Sequence, residues 1–186
     1  MNRKSRCCLG FVFLSMVACI SAVAEEIQPP HPCELYTRAD AEVLFQQQVS
    51  EGVRKTTVAP AGQSCRYSFQ KRGGTFDLTV RTATTASIRE EGIFSSAQDV
   101  VLRQKRARTS GEQAAKQFMV VADLGDDAFW SGSSLWVLKG DLLAVIKVNP
   151  VVDGLFKNRD AMDAAKSERS LALSRQVAKV VLSHLN

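Results

Sequence analysis

DLGDDAFWSGSSLWVLKGDLLAVIKV, residues 123–148, is the stretch in which turn chemistry and strand alternation agree over the most residues. A polar, glycine-bearing turn at residues 131–134 leads into the run 135–139, and Gly140 and Asp141 separate that run from residues 142–148, rich in branched apolar side chains. Glycine first in a two-residue loop suits a type II′ turn, whose twist matches that of the strands it joins. On the second strand Leu142, Ala144, Ile146 and Val148 point one way and Leu143, Val145 and Lys147 the other, so both faces are largely apolar. That pattern predicts a central strand covered on both sides. Pro150 cannot donate to a ladder and closes the segment. Upstream, residues 128–130 predict a third short strand after the acidic turn 123–127.

Toward the C-terminus, residues 153–159 read as a loop and 160–185 as a long helix with Leu171, Ser174, Ala178, Val181, Leu182 and Leu185 along one stripe. Toward the N-terminus, Ser95 with Gln98 three residues later has the capping-box pattern of a helix that ends before Gly111, and residues 112–117 predict a short helix leading into 118–121. Cys65, Tyr67 and Phe69 alternate with Ser64, Arg66, Ser68 and Gln70. Gly73 and Gly74 turn the chain into Phe76, Leu78 and Val80, which gives a second hairpin with one wet face. Residues 53–58 form a weaker strand. Thr37 caps a helix through Asp40, with Ala41, Leu44 and Phe45 on its buried side. The coarse order is αβββαβββα, an α+β fold with a mostly antiparallel sheet and helices covering one face.

Arg3, Lys4 and Arg6, an apolar run of about ten residues and Ala22-Val23-Ala24 make residues 1–24 a secretory leader. Residues 25–32, with three prolines, read as an extended lead-in, and residues 33–186 as a single domain. The apolar run falls short of the roughly 20 residues that span a bilayer as a helix, so no transmembrane helix is expected in the mature chain. The alternative to cleavage after Ala24 is a lipid anchor at Cys19, in the imperfect lipobox Met16-Val17-Ala18-Cys19. Cleavage removes three basic residues and no acidic ones, which lowers the formal net charge from +5 to +2. So small a charge gives no argument for nucleic acid as a partner.

Of five cysteines, Cys7, Cys8 and Cys19 lie in the leader. The remaining pair, Cys33 and Cys65, predicts a structural disulfide in an exported protein, one that pins the start of the first helix onto the sheet.

Cys33-Glu34-Leu35-Tyr36-Thr37 opening a helix, Cys65-Arg66-Tyr67 on a strand, and Leu124-Gly125-Asp126-Asp127-Ala128 before a closing hairpin and helix resemble small exported or lipid-anchored bacterial domains of unknown function, some of them PsbP/Mog1-like. The resemblance spans residues 33–185 and rests on structural motifs. It implies an envelope location and a non-catalytic scaffold, and carries over no functional residue.

Candidate chemistry is sparse. Asp123, Asp126 and Asp127 offer oxygens, yet a calcium site needs six to eight, and a turn capped by its own Asp side chains is the simpler reading. The two histidines, His31 and His184, lie near opposite ends of the chain with no partner at zinc spacing. No serine sits in a Gly-x-Ser-x-Gly elbow, and no glycine loop precedes a helix to cradle phosphate. The sequence therefore predicts no catalytic, cofactor or metal residue. Trp130 and Trp136 read as core, with a binding pocket as the alternative. Arg103, Lys105, Arg106 and Arg108 form a basic run which, with the loop 131–134, is the expected interaction surface. The expected function is a non-enzymatic periplasmic binding domain whose partner is an envelope protein or a small apolar ligand. One alternative is an inhibitor or immunity protein against a toxin or hydrolase. The other is a hydrolase working through Glu90, Glu91, Asp126 and Asp127.

Overall fold

The computed structural model describes residues 30–185 apart from Ala59 and Ala61. The leader, Cys19 and most of the lead-in lie outside the described residues. Two short helices open the chain, α1 (Pro32–Leu35) and α2 (Arg38–Phe45), followed by β1 (Val53–Thr57), β2 (Gly62–Lys71) and β3 (Gly74–Thr84). Three helices follow, α3 (Thr85–Glu91), α4 (Ala97–Thr109) and α5 (Glu112–Gln117). The second run of strands is β4 (Met119–Val120), β5 (Asp127–Trp130), β6 (Leu135–Lys139) and β7 (Leu142–Asn149), and α6 (Arg159–Ser183) ends the chain.

All seven strands form one antiparallel sheet in the order β1-β2-β3-β7-β6-β5-β4. Each run of strands is a meander, and the two meet where β3 pairs with β7, Val80 opposite Ile146. β7 is thus the fourth strand of seven, the central position its two apolar faces demand. Lys139 pairs with Leu142 across the two-residue loop, with Gly140 at φ 55° and no positive φ at Asp141. That is the sign pattern of the expected type II′ turn. The β2–β3 turn falls one residue earlier than Gly73-Gly74: Arg72 and Gly73 both have positive φ, and Gly74 already belongs to β3.

Helices cover both faces of the sheet, where cover on one face was expected. On the first face, Leu35, Tyr36 and Ala41 of α1–α2 and Leu173, Val177 and Val181 of α6 bury Tyr67, Leu78, Val80 and Ile146. On the second, Ile88 of α3 and Ala97, Val100 and Val101 of α4 bury Phe129, Leu138 and Leu143. The second layer reaches only part of the sheet. It sits over the half around β5, β6 and the start of β7, where the second face is apolar, and leaves the alternating polar face of β2 and β3 without a comparable apolar cluster.

Local chemistry explains where the helices begin. His31 accepts the Cys33 amide on its Nδ1, Glu34 reaches back to the His31 amide, and Pro32 takes the first turn, which suits a residue without an N–H. Pro32, expected as the end of the extended lead-in, is therefore the first residue of a helix. Thr37 makes the expected cap of α2 on the Asp40 amide, and Asp40 in return accepts the Thr37 amide. The α4 cap is Ser96, accepting from the Asp99 amide, one residue beyond the expected Ser95. The buried stripe of α6 keeps the expected Ser174, Ala178 and Val181 and adds Ser170, Leu173 and Val177, while Leu171, Leu182 and Leu185 are flanking, half-buried contacts.

Candidate functional site

The α1–α2 segment is held at every turn by groups that a catalytic site would otherwise use. Cys33 and Cys65 form a disulfide. The buried Tyr67 hydroxyl donates to the Tyr36 carbonyl at 2.7 Å, and burial pushes its pKa up to about 12. Burial likewise raises Tyr36, whose hydroxyl donates to the Asp40 carbonyl. His184, at the far end of α6, bonds the Leu35 carbonyl through Nδ1 at 2.9 Å. An acceptor carbonyl requires that this nitrogen carry the proton. The two histidines, far apart in sequence, thus both serve α1: His31 caps its start and His184 its last carbonyl. Burial, aided by Arg54, lowers the His31 pKa, which favours the neutral ring whose Nδ1 accepts. Arg54 itself pairs with Glu34.

The acidic turn is a structural clamp between two hairpin elements. Asp126 accepts the Gly140 amide at 2.6 Å and Lys139 at 3.2 Å, which holds its carboxyl below the usual range. It caps the neighbouring β6–β7 turn and not its own backbone. Asp127 takes both of its contacts from Lys105 Nζ, at 2.5 and 2.6 Å, tying α4 to β5. Among the described residues no group of three His, Cys, Asp or Glu side chains stands close enough to hold a metal ion, and no helix is long and apolar enough to cross a membrane.

The basic run divides in two. Arg103 pairs with Asp99 and lies over the Phe94 ring, and Lys105 is bound to Asp127 over the Phe129 ring. Neither Arg106 nor Arg108 takes part in an ion pair among the described residues, and Arg106 is exposed. The loop 131–134 follows the opposite end of β5 from Asp127, with Gln117 of α5 packed against Gly132. Trp130 is buried on the α6 side of the sheet. Trp136 lies on the other side, half-buried and stacked on Phe129 at 5.7 Å, with its buried Nε1 lacking a partner among the described residues.

Two open features bear on function. One is a groove of about 890 Å³ at the end of β3, between α1 and α3, bordered by His31, Arg54, Thr84, Arg89, Glu90 and Asp141. Several of its polar groups are drawn into caps and pairs, Thr84 with Ser87, Arg54 with Glu34 and Arg89 with the Ser95 carbonyl, while the Glu90 and Asp141 carboxylates are in no ion pair among the described residues.

The other is the half of the second sheet face beyond α3 and α4. Strand register sets its rows. Lys55 lies opposite Ser64, Ser64 opposite Arg81 and Arg81 opposite Val145; one row along, Val53 pairs with Arg66, Arg66 with Thr79 and Thr79 with Lys147. Lys55 and Lys147 are exposed and in no ion pair among the described residues. Arg66 pairs with Asp77, the one carboxylate that these four strands place on this face. The Arg81 guanidinium is half-buried, donates to the Pro60 carbonyl, and has a buried Nε without a partner among the described residues. Burial lowers its pKa, and the nearby Glu91 opposes that shift. Sequence alternation alone marked this face as wet. Its excess of cations needs the register, since one comes from each of four strands whose order the sequence does not state.

No family model matches this chain, and neither a curated protein nor a solved structure matches it.

Proposed function

We propose that the mature chain is a non-enzymatic periplasmic domain of the bacterial envelope which acts by binding another macromolecule. The observation that carries this reading is the uncovered half of the second sheet face, where polar and cationic side chains from β1, β2, β3 and β7 stand without a helix layer among the described residues. The rest of the chemistry points the same way. Both histidines are spent on α1, and Asp126 and Asp127 on Gly140 and Lys105, so the histidines and two of the four candidate carboxylates are already committed to the fold. Export is supported by the leader pattern and by the Cys33–Cys65 bond, which an oxidising compartment preserves.

Affinity capture from envelope extract tests the reading, with the disulfide-bonded mature domain as bait and two charge-reversed baits beside it. One carries Lys55→Glu and Lys147→Glu, and the other Arg106→Glu and Arg108→Glu at the end of α4. Saturable, stoichiometric recovery of one partner, lost with the first bait, supports binding through the sheet. Loss with the second bait alone moves the surface to α4. A captured toxin or hydrolase whose activity falls on binding makes the domain an inhibitor. No saturable partner, together with turnover of a glycan or peptide substrate that Glu90→Gln abolishes, overturns the proposal.

A further inference from the structure

We infer that the uncovered half of the sheet receives a carboxylate-rich, extended segment of a partner protein. This rests on the binding reading above and specifies the partner's chemistry. Lys55 on β1, Arg66 on β2, Arg81 on β3 and Lys147 on β7 place one cation on each of four neighbouring strands, all on the same face. Against them these strands set one carboxylate, Asp77, already paired with Arg66. Glu91 approaches from α3 at the Arg81 end. Thr79 lies between Arg66 and Lys147, so the floor offers a hydroxyl as well as charge.

Geometry selects the shape of the occupant. Neighbouring strands stand about 4.8 Å apart, so the four cations extend across roughly 14 Å. A lone carboxylate or phosphate brings at most two charges to a row of four cations opposed by the single Asp77, and cannot neutralise it. An extended segment rises about 3.4 Å per residue with side chains alternating, and a run of roughly five residues with every second one acidic crosses the whole row. A lipid surface fits poorly, because α3 and α4 pack on this same face of the sheet. They stand as a step about 10 Å high that holds a plane away from the cations and leaves room for a narrow chain. Val53, 47% exposed beside Arg66, gives the segment one apolar contact within the charged floor.

The test uses the mature, disulfide-bonded domain and a defined probe, a ten-residue peptide of alternating Glu and Ser. Amide chemical-shift mapping should move residues of β1, β2, β3 and the 145–149 end of β7. Lys55→Glu with Lys147→Glu should weaken binding about tenfold, the loss of two exposed pairs plus the repulsion that replaces them. Asp77→Asn keeps the side chain's shape and removes the opposing carboxylate, so it should tighten binding about threefold. Raising salt from 0.05 to 0.5 M should weaken it, as screening of exposed charges requires. Shifts confined to α4, no response to Asp77→Asn, or tighter binding to anionic phosphatidylglycerol vesicles than to the peptide each overturn the inference. If the peptide fails while an envelope partner is still lost with the Lys55 and Lys147 reversal, the partner chemistry assigned here is wrong and the binding reading stands.

Discussion

Replacing Cys33 and Cys65 together with alanine should lower the stability of the mature domain by about 4 kcal/mol. The two residues are 32 apart in sequence. On the chain-entropy model, closing a loop of that size removes roughly 12 cal/mol/K from the unfolded ensemble, or about 3.7 kcal/mol at room temperature. Cys65 is fully buried among Tyr67, Leu35 and their neighbours, so trimming its sulfur adds a few tenths more. Other ties keep α1 in place without the bond: the Tyr67 hydroxyl on Tyr36, His184 on Leu35, and Arg54 on Glu34. The variant is therefore expected to fold. Urea titration of the wild type and the double variant at pH 7 measures the difference, and the entropic origin makes a second demand. The m-value should rise in the variant, because its unfolded chain is less confined and exposes more surface. For a domain of this size the same loss lowers Tm by roughly 8 to 16 °C. A change below about 1 kcal/mol would refute the loop argument. A full loss with an unchanged m-value would move its origin to the folded state.

Ser174 is fully buried in α6 and its hydroxyl has no partner among the described residues, so Ser174→Ala should raise stability by about 0.5 to 1.5 kcal/mol, through relief of desolvation and better helix propensity; a lower urea midpoint would contradict this. Gly125 has φ 62°, and a Cβ there would sit against the Leu138 carbonyl oxygen, so Gly125→Ala should cost about 2 kcal/mol or more and leave β5–β6 amides less protected from exchange. Asp126 has its carboxyl pKa depressed, first by the Gly140 amide and then by Lys139. Its contribution is thus complete above the unfolded carboxyl's value of about 3.9 and fades as pH falls through the lower folded value. Asp126→Ala should lower the urea midpoint at pH 7 and show a shallower decline than wild type between pH 4 and pH 2; parallel profiles would refute that role.

Where a residue's surroundings are local, the sequence carried the answer. The β6 and β7 boundaries, the two-residue turn at Gly140, the Thr37 cap and the Cys33–Cys65 pair all depend on residues within a few positions or on a choice with only two members left. The misses share a different cause. Helix α3 is a seven-residue helix with only Thr85 and Ile88 buried, too short for a helical period to emerge. Its docking with α4 over Phe129 and Leu143 is what turns a sheet covered on one side into one covered on both. The Leu143 and Val145 face of β7 already required that second cover, a signal present in the same strand. The α6 stripe was legible only in part because Leu171 and Leu182 are as apolar as Leu173 and Val177, so which set faces the sheet follows from docking, where Ser170 donates to the Val148 carbonyl. The candidate site was the least legible. A basic run is conspicuous in sequence, yet Arg103 and Lys105 are engaged by Asp99 and Asp127, whereas Lys55, Arg66, Arg81 and Lys147 are scattered in sequence and converge only through strand order.

The claim that this domain works through the uncovered half of its sheet is tested most directly by photo-crosslinking in the intact envelope. A benzoylphenylalanine replaces Thr79, which lies between Arg66 and Lys147 in the middle of that face, and a control carries the same group at the exposed Ala172 on α6. The account predicts one discrete adduct from position 79, mapped by mass spectrometry to an Asp- and Glu-rich stretch of another protein, and none from position 172. Adducts from position 172 with none from position 79 would contradict it.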